Sequence, residues 1–292
     1  MQYTPQLFRF PIRNALLHTL LTLRRTSQIT TSQIRASQTI SPMLIGFLLA
    51  LLLALLSLPI HAASNFDDAN ALMRHIDRLW RSDSAHSNLS MTVKTRRYTR
   101  TLKLESWSKG KDKSLIIIRA PKKDKGIATL KVSDNIWNYL PKINRVTKVP
   151  ASLMSGSWMG SHFTNDDLVK ENTFEDDYGS RITFQGKREN LNLIEISSIP
   201  KENAAVVWGK VITLIDQEKL VPISSTYYDE EGQLVRTMLF SRLETHDKRL
   251  VPMRMTLQPT DKPNESTVVE YESIHFNIPI NDDVFSIQRL KR

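Results

Sequence analysis

Between Leu89 and Phe276 the residues alternate, segment after segment, between apolar and polar. Met91 and Val93 stand among Thr92, Lys94 and Arg96, and Leu102 and Leu104 flank Lys103 before Glu105 and Trp107. Farther on, Met253, Met255 and Leu257 are separated by Arg254 and Thr256. A period of two sends alternate side chains to opposite faces of a strand, so a chain written this way builds a sheet with one buried side. Polar turns punctuate the segments at Lys109 to Lys113, Lys122 to Gly126, Ser133 to Asn135, Asp229 to Gly232 and Asp261 to Asn264. Strands spaced like this, with no helices between them, argue for an antiparallel meander. Leu115 to Ile118 is apolar throughout and reads as a central strand. The expected fold class is mainly β (α+β): one curved antiparallel sheet of roughly ten strands with a few helices packed on it.

Two segments depart from the alternation. Asn65 to Arg81 places Ala69, Leu72, Ile76, Leu79 and Trp80 at three- and four-residue spacing, the apolar face of one amphipathic helix. Asp67 and Asp68 fall in its first turn, where acids favour the helix dipole. Pro150 to Val169 scatters Leu153, Met154, Trp158, Met159 and Phe163 among Ser and Gly. It is too apolar to be solvated and too glycine-rich to be a good helix, so it should fold over something. Thr164 to Leu168 then reads as a capped helix start.

Upstream, Met43 to Ile60 carries no charge, and the segment before it holds Arg9, Arg13, Arg24, Arg25 and Arg35 but no Asp or Glu. A basic flank, an apolar run and small residues at the exit have the layout of a secretory signal. Cleavage is expected near Ala62 or Ala63, with an uncleaved membrane anchor as the other outcome of the same run. Residues 1–63 are therefore read as a basic extension and signal peptide, and 64–292 as a single exported domain. Removing the leader leaves 35 basic against 30 acidic residues, so the high pI is partly a leader effect and nucleic acid is not an expected partner. The chain has no cysteine. That excludes disulfides, thiol catalysis, thiolate metal sites and a lipid on an N-terminal Cys.

Catalytic constellations are missing from the sequence. The histidines lack metal spacing, and His162 reads as a polar loop residue. Asp166-Asp167, Asp176-Asp177 and Asp282-Asp283 are adjacent acids, which point in different directions; a helix cap explains the first and turns the others. Neither a nucleophile elbow nor a phosphate-binding glycine loop is present. The expectation is a protein that is not an enzyme and takes no cofactor.

What remains is greasy and adaptable material. Methionine fits irregular apolar partners, and tryptophan offers broad apolar surface. A single curved sheet does not fill its own concave face, so helices or a ligand must cover it. The candidates for an apolar cavity are Trp137, Tyr139, Met154, Trp158, Met159, Met238, Met253 and Met255, with the Gly/Ser/Met/Trp loop as a movable cover. The strand from Leu234 also carries Arg236 on the same face as Met238 and Phe240. The basic turns Lys109, Lys111, Lys113 and Lys122, Lys123, Lys125 could lie close together as neighbouring turns, a footprint for anionic headgroups or an acidic partner.

Taken as a set, these elements resemble the outer-membrane lipoprotein-sorting (LolA-like) family. The residues that carry the resemblance are Leu89-Ser90-Met91-Thr92-Val93, Ile136-Trp137-Asn138-Tyr139-Leu140-Pro141, and Ser157-Trp158-Met159-Gly160-Ser161 with Thr164-Asn165-Asp166-Asp167-Leu168. The closing Asp283-Val284-Phe285-Ser286 belongs with them. The resemblance implies an unclosed half-barrel covered by helices, located in the bacterial periplasm, that holds lipid or lipoprotein acyl chains and passes them between membrane components. It also implies the branch often associated with RND/MMPL-type inner-membrane exporters. The alternative it leaves is an accessory subunit docking on such an exporter, or on an ABC exporter, without binding lipid. No position here matches the lid arginine of the sorting chaperone.

Overall fold

The computed structural model describes residues 68–170 and 174–291. The apolar run Met43 to Ile60 and the expected cleavage near Ala62 or Ala63 lie outside the described residues. Asp68 opens the first helix by accepting from the backbone N–H groups of Asn70 and Ala71, at 2.9 and 3.0 Å. That helix, α1, spans Ala69–Asp77, shorter than the sequence pattern suggests. Leu79 and Trp80 continue its apolar face from an irregular turn, and Ser82, at φ +52°, redirects the chain into the sheet. No helix among the described residues is long and apolar enough to cross a membrane.

The strands are β1 (Ser84–Lys94), β2 (Thr99–Lys109), β3 (Lys113–Ala120), β4 (Ala128–Val132), β5 (Asn135–Leu140) and β6 (Arg145–Lys148), then β7 (Tyr178–Arg188), β8 (Leu191–Pro200) and β9 (Lys210–Asp216). They continue with β10 (Val221–Tyr228), β11 (Leu234–His246), β12 (Arg249–Pro259) and β13 (Ser266–Phe276). Short helices α2 (Asn165–Lys170) and α3 (Phe174–Asp177) lie between β6 and β7, and α4 (Ile287–Leu290) follows β13. The thirteen strands among the described residues form one sheet in the order β6-β5-β4-β3-β2-β1-β13-β12-β11-β10-β9-β8-β7, and neighbouring strands are antiparallel, as with Met91 opposite both Leu102 and Val269. The chain enters mid-sheet at β1, steps out to one edge at β6, crosses to the other edge at β7, and steps back until β13 closes on β1. The sheet is not closed into a barrel. Strand β1 begins at Ser84, earlier than the alternation suggests, because small polar residues also serve as buried positions: Ser84 donates to the carbonyl of Ile278 at 2.6 Å.

Side-chain parity sorts the core. On the inner face, Leu72, Met73, Ile76 and Leu79 pack on Ile194, Ile196, Ile215 and Val221 of β8 to β10. Trp158 packs on Met91, Val93, Leu102, Leu104 and Ile118 of β1 to β3. The outer face of β3 to β5 is covered instead by the C-terminal segment, where Phe285 and Leu290 pack on Leu115, Leu130 and Tyr139. Strand β3 is thus buried on both faces, Ile118 on one side and Leu115 on the other, which is why Leu115 to Ile118 is apolar without interruption.

Candidate functional site

The connection from β6 to β7 contains the Gly/Ser/Met/Trp segment, and it lies over the inner face, as its composition requires. Its hairpin is held by the Trp158 N–H donating to the Phe163 carbonyl at 2.8 Å and by an isolated pairing of Ser157 with Thr164. Thr164 and Asp167 cap α2 reciprocally: the Thr164 N–H donates to Asp167 Oδ2 at 2.7 Å, and the Asp167 N–H to Thr164 Oγ1 at 3.1 Å. Side chains then fasten the segment to well-separated strands. Trp158 Nε1 donates to Thr129 Oγ1 of β4 at 3.1 Å. The His162 N–H donates to Thr267 Oγ1 of β13 at 3.0 Å, and the imidazole Nε2 lies 3.2 Å from Glu265. The Arg96 N–H and then His162 hold the Glu265 carboxyl below its ordinary value.

The strongest fastening is to β11. Arg236 reaches both oxygens of Asp167, one at 2.8 Å, and also donates to the His162 carbonyl. Its guanidinium lies 4.1 Å from the ring centre of Trp208 and 4.4 Å from that of Tyr227. The side chains of Arg236 and Asp167 are only 4% and 15% exposed. Burial opposes the charge on Arg236, but the Asp167 carboxylate outweighs it and holds the guanidinium above its ordinary value. Burial pushes the Tyr227 phenol up to about 12 and the Tyr178 phenol above the ordinary tyrosine range. Arg236 is thus held charged and the two phenols neutral at neutral pH, which suits a clamp.

Beneath the segment is a cavity of about 230 Å³. Its walls come from α1 (Met73, Ile76), the inner faces of β1 to β3 and β9 to β13, and the covering segment through Trp158 and Phe163. Most of this surface is apolar. Asp166, Asp167, Tyr178 and Tyr227 add polar groups to the lining, and the hydroxyls of Thr213 and Ser225 bond to each other at 3.2 Å. An engineered apolar cavity of roughly 150 Å³ accommodates benzene, and drug-sized pockets begin at roughly 300 Å³. In this conformation the space suits a short length of hydrocarbon.

Of the sequence candidates, Trp158, Met238 and Met255 line the cavity. Met159 packs beside Trp158, at φ +51°. Met154 is half-buried in the covering segment, and its carbonyl accepts from the Asp166 N–H. Met253, fully buried, lies in a filled region with Val251, Ile274 and Trp80. Trp137 and Tyr139 are on the other face: they pair with Leu130 and Ala128 and pack with Phe285, because Thr129, one residue away, takes the inward position under Trp158. The basic turns also need correction. Successive turns of a meander lie at opposite ends of their shared strand, so Lys109 to Lys113 and Lys122 to Lys125 are separated by the length of β3, roughly 25 Å. Lys109 and Lys113 are drawn to Asp282 at 2.8 and 3.0 Å, and Lys111 to Asp176 at 2.7 Å, whereas Lys122, Lys123 and Lys125 are exposed. The adjacent acids are accordingly more than turn residues: one member of each pair meets a cation from a distant segment. Arg236, Trp208 and Tyr227 escaped sequence reading as a site, although a charged residue at an inward strand position was a usable signal.

A family model described as that of an uncharacterized protein matches residues 110–292. No curated protein matches the chain. Among solved structures, a DUF1329 family protein from Desulfovibrio piger is 21% identical with a TM-score of 0.70, over 76% of this chain and 97% of its own. An outer membrane lipoprotein-sorting protein domain from Vibrio parahaemolyticus is 22% identical with a TM-score of 0.67, over 76% and 97%. A LolA superfamily protein from Nitrosomonas europaea is 18% identical with a TM-score of 0.65, over 76% and 98%. At these identities the likeness is one of fold.

Proposed function

The chain belongs to the family whose model matches residues 110–292 and has the fold of the LolA superfamily; from that premise we propose that it is a non-catalytic periplasmic carrier. It takes an acyl chain of a lipid or lipoprotein into the cavity under Trp158 and passes it between membrane components. The observation that carries this reading is the apolar cavity beneath a segment whose polar fastenings are gathered at Thr129, Thr267 and Arg236. Buried methylenes supply the affinity, at about 0.8 kcal/mol each. If each group occupies about 30 Å³, the volume per molecule of liquid water, the cavity takes about seven of them, a gross gain near 6 kcal/mol before ordering costs. A longer chain requires the cover to shift outward. The partner that delivers or receives the cargo is expected to be an inner-membrane exporter of the RND/MMPL type.

Native mass spectrometry of the protein purified from a bacterial periplasm, with organic extraction of what co-purifies, tests the reading. Bound phospholipid or acylated peptide near one per chain supports the carrier and gives its cargo class. A clean apo mass with no uptake of added lipid overturns it and leaves the exporter-docking subunit, for which the small volume of the cavity already speaks.

A further inference from the structure

Helix α1 has two working faces. Met73 and Ile76 look into the cavity described above, while Arg74 and Arg78 line a separate cleft of about 660 Å³ on the other side of the helix. Arg81 from the following turn, Lys111 from the β2–β3 turn and Arg249 from the start of β12 join them there. Three segments distant in sequence thus converge with five cationic side chains, against the carboxylates of Asp77 and Asp83 in the same lining.

Neutral groups hold part of the arrangement in place. Arg81 donates to the carbonyls of Asp77 at 3.0 Å and Gly110 at 3.4 Å. Arg249 donates to the Arg78 carbonyl at 2.7 Å and to Ser82 Oγ at 2.9 Å, with its guanidinium 4.6 Å from the Phe276 ring centre, and it forms no carboxylate pair among the described residues. Burial, and then the charge of Arg78, hold Arg249 below its ordinary value, as expected where like charges are crowded. Acids also approach, in pairs that are largely exposed: Arg74 with Asp68 at 46% and 61% exposure, Arg78 with Asp83 at 62% and 84%, and Lys111 with Asp176 at 50% and 49%. Such pairs contribute little and exchange readily for a better anion.

We propose that this cleft is a binding site for a phosphate-bearing anion, either a lipid headgroup or free phosphate. A guanidinium fork matches phosphate oxygens, and the four guanidinium groups carry more N–H donors than the two lining carboxylates, Asp77 and Asp83, have oxygens to accept them, whereas a phosphate ester presents several further oxygens. The site is independent of whether the inner cavity holds an acyl chain.

Titration calorimetry of the full-length protein with inorganic phosphate, and sedimentation with phosphatidylcholine vesicles with and without phosphatidylglycerol, test the proposal. The variant Arg74→Gln/Arg78→Gln weakens binding about tenfold or more, the loss expected for charge-assisted hydrogen bonds. Lys122→Gln/Lys123→Gln removes equal charge elsewhere and leaves binding within about twofold, as does any purely long-range effect at physiological salt. Lys111→Gln, at an exposed position, repeats the loss should the double variant fold poorly. Preference for phosphatidylglycerol vesicles without binding of inorganic phosphate identifies a headgroup, and binding of inorganic phosphate without vesicle preference identifies the free anion. Absence of both, or equal loss in the cleft and control variants, overturns the proposal. Lipid uptake by mass spectrometry reads the inner cavity separately, so the two readings fail independently.

Discussion

Arg236 of β11 grips both carboxylate oxygens of Asp167 in the segment that covers the sheet, in a place from which water is almost excluded. The contact joins residues 69 apart in sequence. It is also where α2 is capped, so a single carboxylate serves both the local turn and the long-range closure.

Removing one partner of a buried pair strands the other charge, at a cost of about 3–5 kcal/mol. Asp167→Ala is expected to lose stability on that scale, while Arg236→Met/Asp167→Leu loses much less than the two single changes combined. Urea unfolding of the four proteins in a thermodynamic cycle checks this. A coupling below about 0.5 kcal/mol would show that the pair is incidental.

Trp158→Ala removes core as well as cavity wall, so about 3–5 kcal/mol of stability goes with it. Filling the space is a cleaner probe. Val211 points into the cavity from β9, and Val211→Phe places a ring where the hydrocarbon would lie. The expected outcome is loss of lipid uptake with a melting temperature within a few degrees of the parent, since the ring enters vacant volume. Retained uptake in this variant would move the acyl site elsewhere.

Gly209 follows Trp208 and packs on the β10–β11 turn. A Cβ there would meet the Asp229 carbonyl oxygen at 2.4 Å and the Glu230 Cα at 2.8 Å, both backbone atoms that cannot swing away. Gly209→Ala should cost about 1–3 kcal/mol and disturb the near-ultraviolet signal of Trp208 against Arg236. Gly179→Ala, whose Cβ meets nothing nearer than 4.0 Å, serves as the unstrained control in the same melting experiment.

Acid should unfold the protein through particular carboxylates. Burial works against the charge on Glu105, but hydrogen bonds from His86 and Arg119 outweigh it and hold the carboxyl below its ordinary 4.5. Burial likewise opposes the charge on Asp216, and the Lys219 side chain with the Lys219 and Glu218 N–H groups prevails, holding it below 3.8. Because the unfolded chain protonates first, their contribution is complete above about pH 4.5 and drains away as the pH falls through the lowered folded values. Glu105→Gln should flatten the acid limb of a stability-versus-pH curve. An unchanged limb would assign acid sensitivity to other groups.

Most strands were legible from period two, β3 from its unbroken apolar run, and the helix because its spacing switches to three and four. The covering segment could be recognised from Trp158, Met159 and Phe163 among glycines, since no other placement suits that composition. What could not be read is which face a residue takes once both faces of a strand are buried. Trp137 and Tyr139 look like cavity residues until the C-terminal Phe285 is known to lie against them. Arg236 was visible as an exception to the pattern, but its partner lies in a segment read only as a helix cap. Ion pairs between distant segments leave no local trace, and Lys109 with Asp282 is a second example.

The sheet ends at β6 and β7 without joining them. A closed barrel has its girth set by strand number and stagger, and widening it means breaking a ladder. This molecule has a seam instead, and a sheet with two free edges carries no such constraint on its twist. The girth of such a split ring is set instead by what packs on its inner face, Leu72 and Ile76 against β8 to β10 and Trp158 against β1 to β3.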